Sequence, residues 1–151
     1  MAGPAGFTPV LDAAEVETVL RSMFPVSDVP YRVIEVGEGT LSVSQLCGRR
    51  EARPGGVVSG PTLMALADAS MVMCVVAHIG PEAMAVTTSL KMDFLTMCPL
   101  GEVVASVNLL KLSRRTAMGT VSIAAAGSPA PAAFATVTYS IPPTPSGLVN
   151  L

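Results

Sequence analysis

The residue with the clearest chemical potential is Asp68, which stands alone in a long apolar stretch. It is the only formally charged residue between Arg53 and Glu82. Its neighbours at helical spacing are all apolar: Met64, Ala65, Met71 and Val72. An ionised carboxylate in such surroundings is unfavourable unless it is paired or hydrogen-bonded. Its partner must come from elsewhere in the fold, from a second subunit or from a ligand. Catalysis is one interpretation, and a structural carboxylate bonded to a loop or a buried water is the other.

Gly60 is the second candidate, because it lies at the predicted start of the helix that carries Asp68. Unpaired N–H groups and the helix dipole favour negative charge there, so a carbonyl oxygen would be polarised and an oxyanion stabilised. Asp68 follows eight residues later, which is about 12 Å along a helix axis. One carbonyl cannot reach both groups of one helix. The spacing therefore suggests a site in which the helix start of one subunit faces Asp68 of the partner subunit.

The histidine and the cysteines do not form a second site. His78, the only histidine, lies ten residues beyond Asp68, about 15 Å along the helix, so the two cannot form a dyad within it. The three cysteines, Cys47, Cys74 and Cys98, are widely spaced. This pattern predicts buried reduced thiols, no structural zinc site and no bound metal. We therefore expect a cytoplasmic protein that needs no cofactor.

Composition narrows the choice of partners. The 151 residues are 50% hydrophobic and 13% charged, with a net charge of −2, which favours self-association and argues against a nucleic-acid partner. The segment 57–79 is long enough to span a bilayer. However, Asp68 lies at its centre, Gly60 and Pro61 interrupt its start, and no basic residues flank it closely. We predict a buried core helix and no membrane partner. The N-terminus lacks a basic region followed by an apolar segment, so no signal peptide is expected.

The periodicity predicts one α+β domain over residues 1–151. Helices are expected at about 12–24, with Asp12 as the N-cap, and at about 60–79. Strands are expected at 31–36, 40–46, 83–95, 102–112, 115–126 and 132–141, with a loop at 47–56 and a short tail after 142. Since the central helix is apolar on nearly every side, it must be covered on nearly every side. An antiparallel sheet curled around it satisfies this requirement.

Several motifs in this order resemble the PaaI-like acyl-CoA thioesterases of the hotdog fold. Gly55-Gly-Val-Val-Ser-Gly-Pro-Thr-Leu-Met-Ala-Leu-Ala-Asp68 is similar to the His-Gly-Gly…Leu-Ala-Asp signature of that family. Similar segments follow at Val86-Thr-Thr-Ser-Leu-Lys-Met-Asp-Phe-Leu95, Pro99-Leu-Gly-Glu102 and Leu112-Ser-Arg-Arg-Thr-Ala-Met-Gly119. The resemblance covers roughly residues 31–141. It implies a hotdog fold, a homodimer that assembles further into a tetramer, and hydrolysis of an acyl-CoA thioester.

The resemblance also implies roles for individual residues. Asp68 corresponds to the catalytic carboxylate, either a nucleophile or a general base for water, and Gly60 to the N–H that polarises the carbonyl. Thr87 falls where some members place a hydroxyl that orients water. Ser59 stands where the family usually has His, and its hydroxyl can donate a hydrogen bond. Lys111, Arg114 and Arg115 lie where members of the family often meet the phosphates of coenzyme A, and Arg53 replaces an Asn that many members carry. These four residues are the predicted substrate-binding positions.

Two other functions are compatible with the same motifs. Ser59 and Pro61 depart from the family pattern, which is consistent with a non-catalytic acyl-CoA-binding protein. A hydratase of enoyl thioesters would pair an aspartate with a nearby histidine, and His78 is badly placed for that. The acyl group, and the choice between coenzyme A and acyl carrier protein, stay open from the sequence.

Overall fold

Two helices and eight strands make up the computed structural model, which describes residues 6–23, 29–81 and 84–143. In chain order the elements are α1 (Ala13–Met23), β1 (Tyr31–Gly37), β2 (Thr40–Cys47), β3 (Ala52–Arg53), β4 (Val57–Val58), α2 (Gly60–Ile79), β5 (Val86–Phe94), β6 (Gly101–Leu112), β7 (Thr116–Ala125) and β8 (Ala133–Ser140). Six strands form one antiparallel sheet in the order β1-β2-β6-β7-β8-β5. Strands β1 and β5 are therefore its edges.

The sheet curls around α2, because both are apolar where they meet. In β7 every second residue is buried (Ala117, Gly119, Val121 and Ile123), which is the alternation of a strand with one face toward a core. Strands β1, β2, β5, β6, β7 and β8 all contact α2. This is the α+β hotdog architecture that the sequence predicts.

Helix α2 begins and ends where its sequence signals lie. Ser59 is the N-cap, and its side chain accepts from the N–H of Thr62, with Pro61 in the first turn. Gly80, at φ 97°, ends the helix and donates its N–H to the carbonyl of Val76. The helix has the length and mean hydropathy of a membrane span, with 1.8 over its most apolar window, but 61% of that window is buried inside the protein. The sheet supplies the apolar environment that this helix needs.

Helix α1 is fixed on one flank of the sheet and on the end of α2. Asp12 caps it as predicted: Glu15 N–H donates to Asp12 Oδ1 at 2.9 Å, and Asp12 N–H donates to Glu15 Oε2 at 2.8 Å. The N–H groups of Val10 and Leu11 donate to the carbonyl of Ala77, at 2.8 and 3.1 Å. These bonds join the start of α1 to the last turn of α2.

Most predicted boundaries agree with the structure to within one residue. Strand β5 is an exception, since it begins at Val86 rather than at 83. The segment 47–56 is the other, because it was expected to be a loop without strands. Instead, Arg53 pairs with Val57 in the β3–β4 hairpin, whose turn contains Gly55 at φ 102° and Gly56 at φ 70°. Strands of two residues are too short to produce a periodic signal. Positions 24, 83 and 144–151, which the predicted elements include, lie outside the described residues.

Gly119 lies close against Met71 of α2, and we expect Gly119→Ala to destabilise the fold. A Cβ there would lie 2.8 Å from the backbone oxygen of Asn108 and 3.1 Å from Met71 Sδ. Overpacking of this kind lowers the free energy of unfolding by about 1–3 kcal/mol, which chemical denaturation would measure. Gly48→Ala is the control, because the nearest atom to its Cβ is 3.9 Å away. Equal stability of the two variants would contradict the prediction.

Candidate active site

The carboxylate of Asp68 is held by two hydroxyl groups from the sheet. Its Oδ1 accepts from Thr87 Oγ1 at 2.6 Å and from the Tyr139 hydroxyl at 2.5 Å. The Tyr139 hydroxyl also lies 2.8 Å from the backbone oxygen of Asp68. Among the described residues, nothing donates a hydrogen bond to Oδ2. The arrangement fixes one oxygen and leaves the other available to accept a proton or to attack a carbon atom.

A β-bulge in β5 gives Thr87 its inward orientation. Thr87 pairs with Tyr139, but Ser89 pairs with Thr138, so Thr88 is an extra residue in the strand. Without the bulge, alternation would place Thr87 on the face opposite to Leu90. With it, both side chains point toward α2 and both are partly buried. Thr87 and Tyr139 thus become cross-strand neighbours on the same face as Asp68.

Tyr139 is the residue beside Asp68 that the sequence did not reveal. It lies near the end of β8, is 2% exposed, and buries a hydroxyl that needs a polar partner. Burial and the hydrogen bond to Asp68 raise the pKa of Tyr139 well above its usual value. The hydroxyl therefore keeps its proton and stays a donor to Asp68 across the working pH range. An isolated tyrosine in an alternating strand was the only available signal, and it names no partner.

The start of α2 offers a hydrogen-bond donor, the N–H of Gly60. The Gly60 N–H meets no acceptor among the described residues, since Ser59 uses its hydroxyl on Thr62. A Cβ at Gly60 would lie 3.4 Å from Phe94 Cζ, so the aromatic ring packs directly over this position. A hollow of about 370 Å³ opens here, lined by Arg53, Val57, Val58, Gly60, Leu63, Phe94, Leu95, Thr96, Met97 and Cys98. A donor N–H, a helix dipole and a concave apolar wall suit a polarised carbonyl.

Comparison with known families identifies the protein family in which these groups occur. The family model described as Thioesterase superfamily matches residues 55–131, about half of the chain, from the loop before β4 to the connection between β7 and β8. The chain belongs to the thioesterase superfamily. The match contains Asp68, Thr87 and Gly60, so the carboxylate and the free N–H both lie within the part of the chain that the family model covers.

Solved structures support the same membership. A presumed thioesterase from a Silicibacter species is 37% identical, with 92% of this chain and 97% of that chain covered and a TM-score of 0.85. A mutant of the phenylacetic acid degradation protein PaaI from Thermus thermophilus is 26% identical, over 74% and 93% of the two chains, with a TM-score of 0.64. A thioesterase from Haemophilus influenzae shares the fold, with a TM-score of 0.78 over 99% and 100% of the chains at 18% identity. No curated protein matches the sequence significantly. The chain is thus a PaaI-like hotdog thioester hydrolase.

The four basic residues predicted to bind the substrate of this thioesterase lie in two exposed places. Lys111, Arg114 and Arg115 lie at or beside the turn between β6 and β7, and none forms an ion pair among the described residues. The sheet register pairs Ala117 with Tyr139 and Tyr139 with Thr87, so this turn lies at the Asp68 end of the sheet. Arg53 is exposed and lines the hollow at the start of α2. The four cations therefore divide between the Asp68 end and the Gly60 end.

The other reactive side chains of the thioesterase have structural roles. His78 Nε2 accepts from the N–H of Gly39 at 3.0 Å, and Nδ1 lies 2.7 Å from the carbonyl of Cys74. These bonds join the β1–β2 turn to the end of α2, far along the helix from Asp68. The three cysteines are free and buried. Burial raises the pKa of Cys74 and Cys98 and raises the pKa of Cys47 to about 11, which keeps these groups as unreactive thiols.

Both tyrosines of this thioesterase are expected to stay protonated at pH 10. Burial, followed by the charge of Asp68, raises the pKa of Tyr31, and Tyr139 shifts in the same direction. The unfolded chain releases these protons near pH 10, so their stabilisation is complete below pH 10 and decreases as pH rises toward the folded-state values. With two tyrosines and no tryptophan, tyrosinate absorbance reports these groups directly. A native titration centred on pH 10 would contradict the expectation, and Tyr139→Phe assigns the steps.

Proposed function

We propose that this thioesterase hydrolyses acyl-coenzyme A at a site shared by two subunits of a homodimer, with Asp68 as the catalytic carboxylate. The observation that carries the proposal is the state of that carboxylate. Thr87 and Tyr139 hold Oδ1 at 2.6 and 2.5 Å, while Oδ2 receives no hydrogen bond from the described residues. A carboxylate held in this way has a fixed orientation, and it presents Oδ2 as its reactive oxygen.

The proposal needs a second subunit because of the length of α2. Gly60 and Asp68 are eight residues apart on one helix, which is about 12 Å, and a single carbonyl cannot contact both. Strand β5 is an edge of the sheet. It lies beside exposed apolar side chains: Met64, Met84, Val86, Phe94, Leu95 and Met97. An unpaired edge with an apolar border favours pairing with the same strand of a second copy. Such a dimer brings the α2 start of one chain toward Asp68 of the partner subunit.

The proposed chemistry begins with the thioester carbonyl on the Gly60 N–H. In the general-base form, Oδ2 of the partner's Asp68 takes a proton from water, whose oxygen attacks the carbonyl carbon. The Gly60 N–H stabilises the oxyanion, which collapses and breaks the carbon–sulfur bond. The proton on Asp68 then passes to the departing thiolate. In the nucleophilic form, Oδ2 itself attacks the carbonyl carbon, the carbon–sulfur bond breaks, and the coenzyme A thiolate leaves and takes a proton from solvent. Water then hydrolyses the acyl-enzyme anhydride, which releases the free acid and restores the Asp68 carboxylate. Neither form needs a metal or a cofactor beyond the coenzyme A of the substrate.

The supporting residues have assigned places in this proposal. Thr87 and Tyr139 orient Asp68, and the Thr87 oxygen can also accept a hydrogen bond from the attacking water. Ser59 holds the helix start that presents Gly60. Basic side chains suit the phosphates of coenzyme A because they bring charge and several donors: Arg53, Lys111, Arg114 and Arg115.

Location and assembly complete the proposal. The three free, buried thiols support a reducing compartment, the cytoplasm. Two dimers would associate into a tetramer through the outer face of the sheet. There a hollow of about 450 Å³ includes Asn108, whose buried side-chain oxygen has no hydrogen-bond partner in the part of the chain that the structure describes.

The deciding experiment is release of free coenzyme A from a panel of acyl-CoA thioesters by the wild-type protein. Because Cys47, Cys74 and Cys98 are buried, a thiol reagent detects the product with little background from the native protein. We expect turnover of at least one acyl class, with a second-order rate constant in the range of about 10⁴–10⁸ M⁻¹s⁻¹ typical of enzymes. Tight binding of acyl-CoA without turnover would instead support the non-catalytic binding protein.

A further inference from the structure

We infer that a small cavity beside Asp68 receives the acyl group of the substrate, and that α1 forms the wall that limits the size of that group. The inference rests on the proposed function, since it concerns the substrate of the same site. The cavity measures about 210 Å³. It is lined from α1, α2, β8 and the start of β5: Val16, Val19, Leu20, Met23, Asp68, Val72, Met73, Val76, Ala85, Thr87 and Tyr139.

The polar and the apolar side chains that line this cavity lie on different walls. Among the residues that the structure describes, Asp68, Thr87 and Tyr139 are the only lining residues with polar side chains, and they are bonded to one another on one wall. Every other lining residue is apolar. A carbonyl carbon attacked from Asp68 must lie about 3–3.5 Å from the reacting oxygen. The acyl group therefore begins at the polar wall, and its hydrocarbon part extends along the apolar ones.

Helix α1 supplies a built wall rather than a loose cover. Its apolar residues recur at helical spacing, with Val16 and Leu20 only 1% and 4% exposed. Glu17 Oε1 accepts from the N–H of Val33 at 2.8 Å, which fixes α1 against β1. Met23, 43% exposed, stands where the wall meets solvent. Val19 is partly buried and points into the cavity, so its side chain is the part of the wall best placed to set acyl length.

The volume and the charge of the cavity define a substrate class. One water molecule occupies about 30 Å³ in the liquid, so the cavity has room for roughly seven non-hydrogen atoms of similar size. The described part of the lining contains no basic residue, and Asp68 would repel a second carboxylate. The acyl group is therefore an uncharged hydrocarbon, and the roughly seven atoms that fit inside the cavity set the chain length at which further atoms begin to extend past it. Medium-length straight chains and arylacetyl groups share that chemistry.

The test measures kcat/KM for straight-chain acyl-CoAs from acetyl to palmitoyl, with phenylacetyl-CoA and succinyl-CoA as further arms. We expect kcat/KM to rise about fourfold for each methylene buried until the cavity is full, and then to stop rising. Succinyl-CoA should be at least about tenfold poorer than pentanoyl-CoA, its uncharged counterpart of similar size. The straight-chain and phenylacetyl arms show which hydrocarbon fits better.

Variants of Val19 give the inference its specific readout. Val19→Ala enlarges the cavity and should move the preferred chain one or two carbons longer, whereas Val19→Phe fills it and should move the preference shorter. Thr18→Phe adds the same bulk on the exposed face of α1 and should leave the profile unchanged. A profile that ignores both Val19 variants, or that moves equally with Thr18→Phe, overturns the inference.

A binding measurement separates this inference from the proposed function. S-alkyl coenzyme A thioethers cannot be hydrolysed, and their dissociation constants should follow the same dependence on chain length and on Val19. If no acyl-CoA is hydrolysed but thioether binding responds to Val19, the cavity assignment stands and the proposed hydrolysis fails. If hydrolysis occurs with a profile that is indifferent to Val19, the reverse holds.

Discussion

Asp68→Asn is expected to lower kcat for acyl-CoA hydrolysis by about 10²–10⁴-fold, the contribution of a general base, and by more if Asp68 is the nucleophile. Asparagine is close in shape to aspartate, and its oxygen can still accept from Thr87 and Tyr139. The fold and the substrate geometry should therefore survive while the basic oxygen is lost. For this reason the effect should appear in kcat, with KM little changed. Steady-state kinetics on the best acyl-CoA of the panel measures it.

Asp93→Asn is the matched control for that substitution. Asp93 is also on β5, but its carboxylate is 58% exposed and bonds to Lys91 at 2.6 Å, with no other partner among the described residues. Surface pairs of this kind contribute about 0–1 kcal/mol to stability, so activity and melting temperature should stay near wild type. Both variants should elute as the same oligomer. Near-normal kcat in Asp68→Asn would remove Asp68 from the chemistry and leave it a structural carboxylate.

The sequence was sufficient to predict the fold because its signals are long and consistent. The twenty residues of α2 between Ser59 and Gly80, most of them apolar, give a helix that must be surrounded. The alternation in β7 and β8 gives strands that can surround it. The start and end signals of α2 act locally: the Ser59 hydroxyl caps the first turn, and Gly80 adopts the positive φ that ends the helix. The bounds of α2 could therefore be predicted without tertiary information.

The site was only partly predictable, because its contacts depend on register and not on local pattern. Asp68 is visible in the sequence as an isolated charge, but its bond to Tyr139 spans 71 positions. Thr87 would face away from α2 if β5 alternated regularly, and the bulge at Thr88 that turns it inward has no clear sequence signal. The helix at about 12–24 was predicted from the sequence, but not that Val19 borders a cavity beside Asp68. Such facts appear only when distant strands and helices are placed together.

A mixed dimer is expected to recover activity that both of its parent variants lack, because the proposed site takes one residue from each subunit. The first parent is Asp68→Asn. The second is Gly60→Pro, which deletes the N–H proposed to hold the carbonyl and should lower kcat by about 10²–10³-fold. Proline suits this position, since it is favoured in the first turn of a helix. Ser59, at ψ 150°, already has the extended conformation required before proline.

Gly60→Ala is the control for the proline variant. Both substitutions add a Cβ that contacts Phe94, at 3.4 Å from the ring, but only proline removes the N–H. Alanine should therefore retain most of the activity. If both variants are equally impaired, crowding by Phe94 and not the lost N–H explains the defect.

The heterodimer itself is isolated through two different affinity tags, one on each variant chain. In a symmetric dimer with shared sites, one of its two sites contains both substitutions and the other contains neither. The purified heterodimer should therefore show about half of the wild-type activity per dimer, although each parent homodimer is nearly inactive. If Gly60 and Asp68 instead acted within one subunit, each site of the heterodimer would carry one defect. Its activity would then stay at the level of the parents, and the shared site would be wrong even if Asp68 is essential.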